Sequence, residues 1–139
     1  MKKRILLVDD DKDLVASTKA VLEANGFEVA AEHNGTDALK AVAAQRPDLI
    51  VLDVMMDTDA EGITVAYKLE GDPTTRRIPV VLMTGFMDHM AAKRESFDFI
   101  NGRDWPAAKL MKKPVAMPEL LATIRQLLAE AEALRAAVA

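Results

Sequence analysis

Residues 4–11 read Arg-Ile-Leu-Leu-Val-Asp-Asp-Asp, a short apolar run that ends abruptly in three aspartates. Three later segments have a similar form, since each contains large apolar residues and ends in a residue suited to phosphate or metal: Leu49–Asp53, Val80–Thr84 and 109–113. Such runs indicate buried parallel strands, although periodicity alone does not exclude short buried helices. Ligands of an open α/β sheet bind beyond the carboxyl ends of its strands. The sequence therefore predicts that acids, a hydroxyl and a lysine converge at one edge of a sheet.

Composition limits the class of protein. The chain has 139 residues, half of them hydrophobic, which suits one globular domain. No apolar stretch reaches the roughly 20 residues that cross a membrane, and the basic start at 1–4 meets aspartates too soon for a signal peptide. The absence of cysteine excludes disulfides and fits a cytoplasmic protein. A net charge of −4 without a basic stripe argues against direct nucleic-acid binding. His33 and His89 lack metal-site spacing, so we expect structural or surface roles.

Helical patterns separate the apolar runs. The spacing predicts strands at 4–8, 27–31, 49–53, 78–84 and 107–111, and helices at 13–24, 37–45, 62–70, about 90–97 and from about 118 towards the C-terminus. Asn25-Gly26 predicts a left-handed end to the first helix. Strict alternation of this kind indicates right-handed βαβ units. The predicted fold is therefore α/β, a three-layer α/β/α sandwich of five strands and five helices.

The acids at the strand ends have two interpretations. Asp9, Asp10 and Asp11 form either a solvated turn with one helix N-cap or a hard-cation site, since Mg²⁺ is typically held by one or two carboxylates. Asp53 ends a run of large aliphatic residues, where a carboxylate is costly to desolvate unless a cation or hydrogen bonds compensate it. Together with Asp10 it would form a cluster whose repulsion a divalent ion relieves.

Thr84 and Lys113 indicate a function only when they are considered together with these acids. Taken singly, Thr84 is an ordinary strand-end hydroxyl and Lys113 an ordinary surface lysine. Combined, the residues supply a carboxylate nucleophile, a metal, a hydroxyl donor and a lysine that neutralises phosphate oxygens. Phosphoryl transfer needs mainly positioning and electrostatic stabilisation, which this set can provide.

With these motifs in place, the chain resembles the receiver domain of bacterial two-component response regulators over about residues 3–128. The matching motifs are Asp9-Asp10, Val51-Leu52-Asp53, Met83-Thr84-Gly85 and Lys113-Pro114. The resemblance implies a flavodoxin-like strand order 2-1-3-4-5 with Asp53 at the switch point, and a cis bond between Lys113 and Pro114.

The resemblance also implies roles for the site residues. Asp53 would accept a phosphoryl group from a histidine kinase or phosphotransfer protein, with Mg²⁺ as cofactor. Asp10 would bind the metal directly, Asp9 would support it, and the backbone carbonyl of Met55 would be a further ligand. Thr84 and Lys113 would contact the phosphoryl oxygens.

We therefore expect a cytoplasmic phosphoprotein with a receiver at 1–128 and a helical extension at 129–139. It would not be an enzyme beyond transfer to its own Asp53 and slow self-dephosphorylation, and it would signal to a downstream protein by contact. One alternative is a degenerate receiver that binds proteins without phosphorylation. A haloacid dehalogenase-type phosphatase would need an acid where Met55 stands, and a flavodoxin-like cofactor binder would need a Ser/Thr/Gly-rich loop after strand one.

Several positions depart from the receiver pattern. The loop after Asp53 lacks the usual proline and adds Asp57 and Asp59, and Leu110 replaces the usual switch aromatic. Met55 and Phe86 offer no strong hydrogen-bond partner for a hydrolytic water, which predicts a long-lived phosphoryl group. The last helix carries a heptad seam that could pair with a partner or form a homodimer. Its members are Leu120, Ile124, Leu127, Ala131, Leu134 and Val138.

Overall fold

The computed structural model describes residues 2–54, 56, 61–85 and 107–138. Strands and helices alternate along the first part of the chain. The strands are β1 (Arg4–Val8), β2 (Glu28–Glu32), β3 (Leu49–Asp53), β4 (Val80–Thr84) and β5 (Lys109–Lys112). The helices are α1 (Lys12–Ala24), α2 (Gly35–Ala44), α3 (Glu61–Gly71) and α4 (Met117–Val138). The helix predicted at about 90–97 lies outside the described residues.

All strand pairs are parallel, and the order is β2-β1-β3-β4-β5. The predicted three-layer α/β fold and the strand order implied by the resemblance are both confirmed. The central strands β3 and β4 are buried along their whole length, as expected for strands covered on both faces. Because β1 lies between β2 and β3, the chain reverses its winding direction there, and the loops after β1 and β3 flank the resulting crevice.

Two apolar clusters form the core, one on each face of the sheet. Alternate side chains of β1 divide between them, with Ile5 and Leu7 on one face and Leu6 and Val8 on the other. The first cluster includes α1 and α4 through Val15, Leu22, Leu120, Ile124 and Leu128. The second includes α2 and α3 through Ala38, Val42, Val65, Ala66 and Leu69. These clusters fix the helices against the sheet and so place the loops at its carboxyl edge.

Element boundaries differ from the predictions by a few residues, for local reasons. Strand β2 starts at Glu28, because the N–H of Phe27 still donates to Leu22 O in the turn that ends α1. Helix α2 starts at Gly35, because Asn34 caps it by accepting from the N–H of Asp37 at 2.8 Å. The left-handed glycine expected after α1 is confirmed by a φ of 92° at Gly26. The Lys113–Pro114 bond is cis, as implied.

The long helix α4 divides into two parts. Leu120 and Ile124 are buried in the core, which confirms that its first half packs on the sheet. Further on, Ala131 is half-buried and Leu134 is 69% exposed. Glu132 forms an ion pair with Lys3, so the extension also contacts its own domain. Among the described residues, no helix is long and apolar enough to cross a membrane.

Candidate functional site

Three carboxylates meet at the carboxyl edge of the sheet. Asp9 follows β1 and Asp53 ends β3, and these strands are neighbours. Asp9, Asp10 and Asp53 each offer a carboxylate oxygen, and these oxygens all lie within 4.8 Å of one another. Asp9 and Asp53 are only 3% and 4% exposed, whereas Asp10 is exposed to solvent. The predicted convergence of the acids is therefore present in the structure.

The three successive aspartates after β1 have different surroundings. The carboxylate of Asp9 accepts from the N–H of Asp11 at 3.0 Å and from Lys113 Nζ at 2.7 Å. Asp11 caps α1 by accepting from the N–H of Leu14 at 3.0 Å. Asp10 makes no hydrogen bond or ion pair with the described part of the chain. The capping interpretation thus holds for Asp11, while Asp10 is left with its carboxylate available to a ligand.

Lys113 places a positive charge between the two buried acids. Its backbone N–H donates to Thr84 O at 2.8 Å, which fixes the start of the loop after β5 against the end of β4. Its Nζ lies 2.7 Å from Asp9 Oδ2 and 3.4 Å from Asp53 Oδ2. Burial by itself lowers the pKa of Lys113, but the hydrogen bond to Asp9 and the charges of Asp53 and Asp9 outweigh it and raise that pKa above the ordinary lysine value. The lysine is therefore charged and shared by both carboxylates.

Thr84 ends β4 at the same edge and is 3% exposed. In the β4–β5 register Thr84 pairs with Lys112, and Lys112 directly precedes Lys113 of the site. Leu110, which stands where receivers usually have an aromatic, is half-buried and packs against the second apolar cluster. The predictions for Met55, Asp57, Asp59 and Phe86 fall outside the described residues. The described set at this edge is thus two buried acids, one exposed acid, a hydroxyl and a lysine.

Residues outside the predicted set support this edge. His33 Nδ1 lies 3.0 Å from the backbone O of Asp9, and Glu61 Oε1 accepts from the N–H of Gly35 at 2.7 Å. The N–H of Gly62 donates to Val54 O at 2.9 Å, directly after Asp53. The sequence pointed to none of these contacts, because each depends on which loops the strand order makes neighbours. The position of His33 just after β2 was the one available signal.

The donor set fits a hard divalent cation. Three carboxylates within coordinating range offer only oxygen ligands, which Mg²⁺ prefers. Asp10 is exposed, so a metal there could keep several waters, as Mg²⁺ usually does. Lys113 offsets part of the negative charge of the three carboxylates, and a divalent ion would offset more of it.

Comparison with known proteins assigns the chain to a family. A model of the response regulator receiver domain matches residues 5–125, and the chain belongs to that family.

Two curated relatives are named response regulators. The chain is 41% identical over 127 residues to response regulator PleD of Caulobacter vibrioides, covering 91% of this chain and 26% of PleD. It is 38% identical over 128 residues to response regulator MprA of Mycobacterium tuberculosis, covering 92% of this chain and 51% of MprA. The chain therefore spans about half the length of MprA and about a quarter of PleD.

Solved structures agree with the fold. A CheY-like response regulator receiver domain protein from Methanospirillum hungatei superimposes with a TM-score of 0.79 at 29% identity, covering 95% of this chain and 98% of that one. The receiver domain of a signal transduction histidine kinase from Syntrophus aciditrophicus gives a TM-score of 0.78 at 29% identity, with 92% and 91% coverage.

Proposed function

We propose that the chain accepts a phosphoryl group on Asp53 from a histidine kinase or phosphotransfer protein, in a reaction that requires Mg²⁺. The observation that carries the proposal is the placement of Asp53, a buried carboxylate at the switch point with Asp10 and Lys113 beside it. Membership of the receiver family and the relatives' printed names support the kind of partner.

The chain's own residues can divide the work of the transfer. An oxygen of Asp53 would form a bond to phosphorus while the bond from phosphorus to the donor's histidine nitrogen breaks, and that nitrogen regains a proton. Lys113 Nζ, now 3.4 Å from Asp53 Oδ2, is placed to follow the negative charge onto the phosphoryl oxygens. From the end of β4, the Thr84 hydroxyl would donate a hydrogen bond to the phosphoryl group. A bound Mg²⁺ would neutralise charge on the entering phosphoryl group.

Asp9 and Asp10 would hold the cation in unequal ways. The carboxylate of Asp9 already accepts from Asp11 and Lys113, which suits a supporting acid. Asp10 is exposed, which suits a direct ligand that a hydrated ion can reach. The receiver resemblance implies that the backbone carbonyl of Met55 is a further metal ligand.

We further propose that the phosphorylated chain acts by contact with another protein, in the cytoplasm, and catalyses no reaction beyond its own phosphorylation and slow dephosphorylation. The absence of cysteine supports a reducing compartment. The match covers only about half of MprA and a quarter of PleD, so a longer protein that contains this chain would have room for an output domain.

The test is phosphorylation by acetyl phosphate with Mg²⁺, followed by intact-mass measurement. Wild type should gain one phosphoryl group, and Asp53→Asn should gain none, because an amide cannot replace a carboxylate nucleophile. Asp11→Asn is the matched control, since asparagine caps a helix as well as aspartate does, and it should be labelled normally. A wild type that is never labelled would favour the degenerate receiver that binds proteins without phosphorylation.

A further inference from the structure

The connection between β2 and α2 contacts both of the loops that carry the acids. His33 stands on one side of it, with Nδ1 3.0 Å from the backbone O of Asp9. A carbonyl oxygen can only accept, so Nδ1 carries the proton and donates. The β1–α1 loop is thus attached through Asp9 to the residue that follows β2.

On its other side, the same connection is attached to the start of α3. The N–H of Gly35, at the first residue of α2, donates to Glu61 Oε1 at 2.7 Å. Such a bond between a carboxylate and a helix N-terminal N–H is charge-assisted and short. Glu61 is the first residue of α3, and the N–H of the next residue, Gly62, donates to Val54 O at 2.9 Å. The contact therefore reaches the residue that follows Asp53.

The fit around Gly35 shows how closely these loops approach. A Cβ at Gly35 would lie 2.8 Å from Glu61 Oε1 and 2.8 Å from Val65 Cγ2. A side chain there would push the carboxylate away from the backbone N–H. Glycine at this position is what allows α2 and α3 to be joined at their N-termini.

The sheet alone does not fix the distance between Asp9 and Asp53. The β1–β3 register ends at Val8 and Leu52, one residue before each acid. Beyond that point Asp9 is held towards β2, where its N–H donates to Glu32 O at 3.2 Å, while Asp53 pairs with Met83 of β4. The two acids are thus tied to strands on opposite sides.

We propose that His33, Gly35 and Glu61 form a bridge that sets the spacing of the Asp9 and Asp53 carboxylates. This role for the bridge rests on the proposed Mg²⁺-dependent function. The three bridge residues are positioning residues that would contact neither metal nor phosphate. Lys113 also spans the two acids, but it would turn to the phosphoryl group during transfer. The bridge lies outside that exchange and keeps the acids in register throughout.

The experiment measures Mg²⁺ binding by titration calorimetry in variants of Glu61. Glu61→Ala removes the acceptor and should weaken binding by about tenfold, the lower end of losses seen for residues that orient metal ligands. Glu61→Gln keeps the Oε1 acceptor but removes the charge, and should stay within about twofold of wild type. A loss in Glu61→Gln as large as in Glu61→Ala would show that the charge and not the contact supports binding, and would refute the bridge. Glu70→Ala, an exposed acid on the same helix, is the matched control and should not change binding.

Hydrogen exchange of the Gly35 N–H, followed by NMR, reports on the contact without any metal. It should be faster in Glu61→Ala and unchanged in Glu70→Ala. If exchange rises in Glu61→Ala while Mg²⁺ binding matches the control, the contact is only structural and the bridge is refuted. A wild type that binds no Mg²⁺ would refute the proposed function, and the bridge with it. If Glu61→Ala does not fold, His33→Ala breaks the bridge at its other end, and unchanged Mg²⁺ binding in that variant would equally refute it.

Discussion

The substitution Gly62→Ala should strongly destabilise the domain. Helix α3 begins so close to β3 that a Cβ at Gly62 would lie 1.9 Å from Asp53 O and 2.7 Å from Val54 Cα. An ordinary contact between such atoms is about 3.5 Å, so the helix start would have to retreat by roughly 1.5 Å. That overpacking costs about 1–3 kcal/mol. Weakening the 2.9 Å bond from Gly62 to Val54 O adds about 1 kcal/mol or more.

We therefore expect Gly62→Ala to lower the free energy of unfolding by about 2–4 kcal/mol, which is roughly 10 °C in Tm for a domain of this size. Gly71→Ala is the control, because it ends the same helix and a Cβ there meets nothing within 4 Å. That variant should match wild type or gain up to about 1 kcal/mol from helix propensity. Urea unfolding of both variants is the assay. Equal stability of the two alanine variants would refute the reasoning about the close approach.

Three further outcomes are expected. Lys113→Met should lower the free energy of unfolding at neutral pH. The difference from wild type should shrink as pH rises above about 10.4 and through the raised pKa of Lys113. A difference that stays constant to about pH 11 would contradict the ion-pair assignment. Deleting residues 129–139 should reduce the solution mass from dimer to monomer if the seam of α4 pairs with a second copy, and a wild type that is already monomeric would exclude self-association. The phosphoryl group should persist far longer in wild type than in Met55→Asn/Phe86→Glu, measured as loss of label at fixed Mg²⁺; equal rates would show that these positions do not control hydrolysis.

The fold was predictable because the signals that define it are local. The strands β1 and β3 occupy the predicted residues, β4 begins at Val80, two residues later than predicted, and Asn25-Gly26 ends α1 as expected. Boundaries moved where a backbone hydrogen bond decided the outcome, as at Phe27 and Asn34. Such shifts reflect single turns, which periodicity over many residues does not resolve.

The site was only partly predictable. Asp9, Asp53 and Lys113 were expected at one edge because each follows or ends a predicted strand, and the structure brings them together. The contacts of His33 and Glu61 could not be derived in the same way. His33 is 24 positions from Asp9, and Glu61 is 26 positions from Gly35. These contacts depend on loop geometry that no local sequence pattern encodes.

The pairing of Asp9 with Lys113 joins residues that are 104 positions apart. A chain emerging from the ribosome exposes its aspartates long before the lysine that neutralises them has been made. Until β5 has been added at the far edge of the sheet, the acids repel one another and lack their shared counter-charge. The charge pairing around the proposed phosphorylation site is therefore complete only after the last strand has joined the sheet.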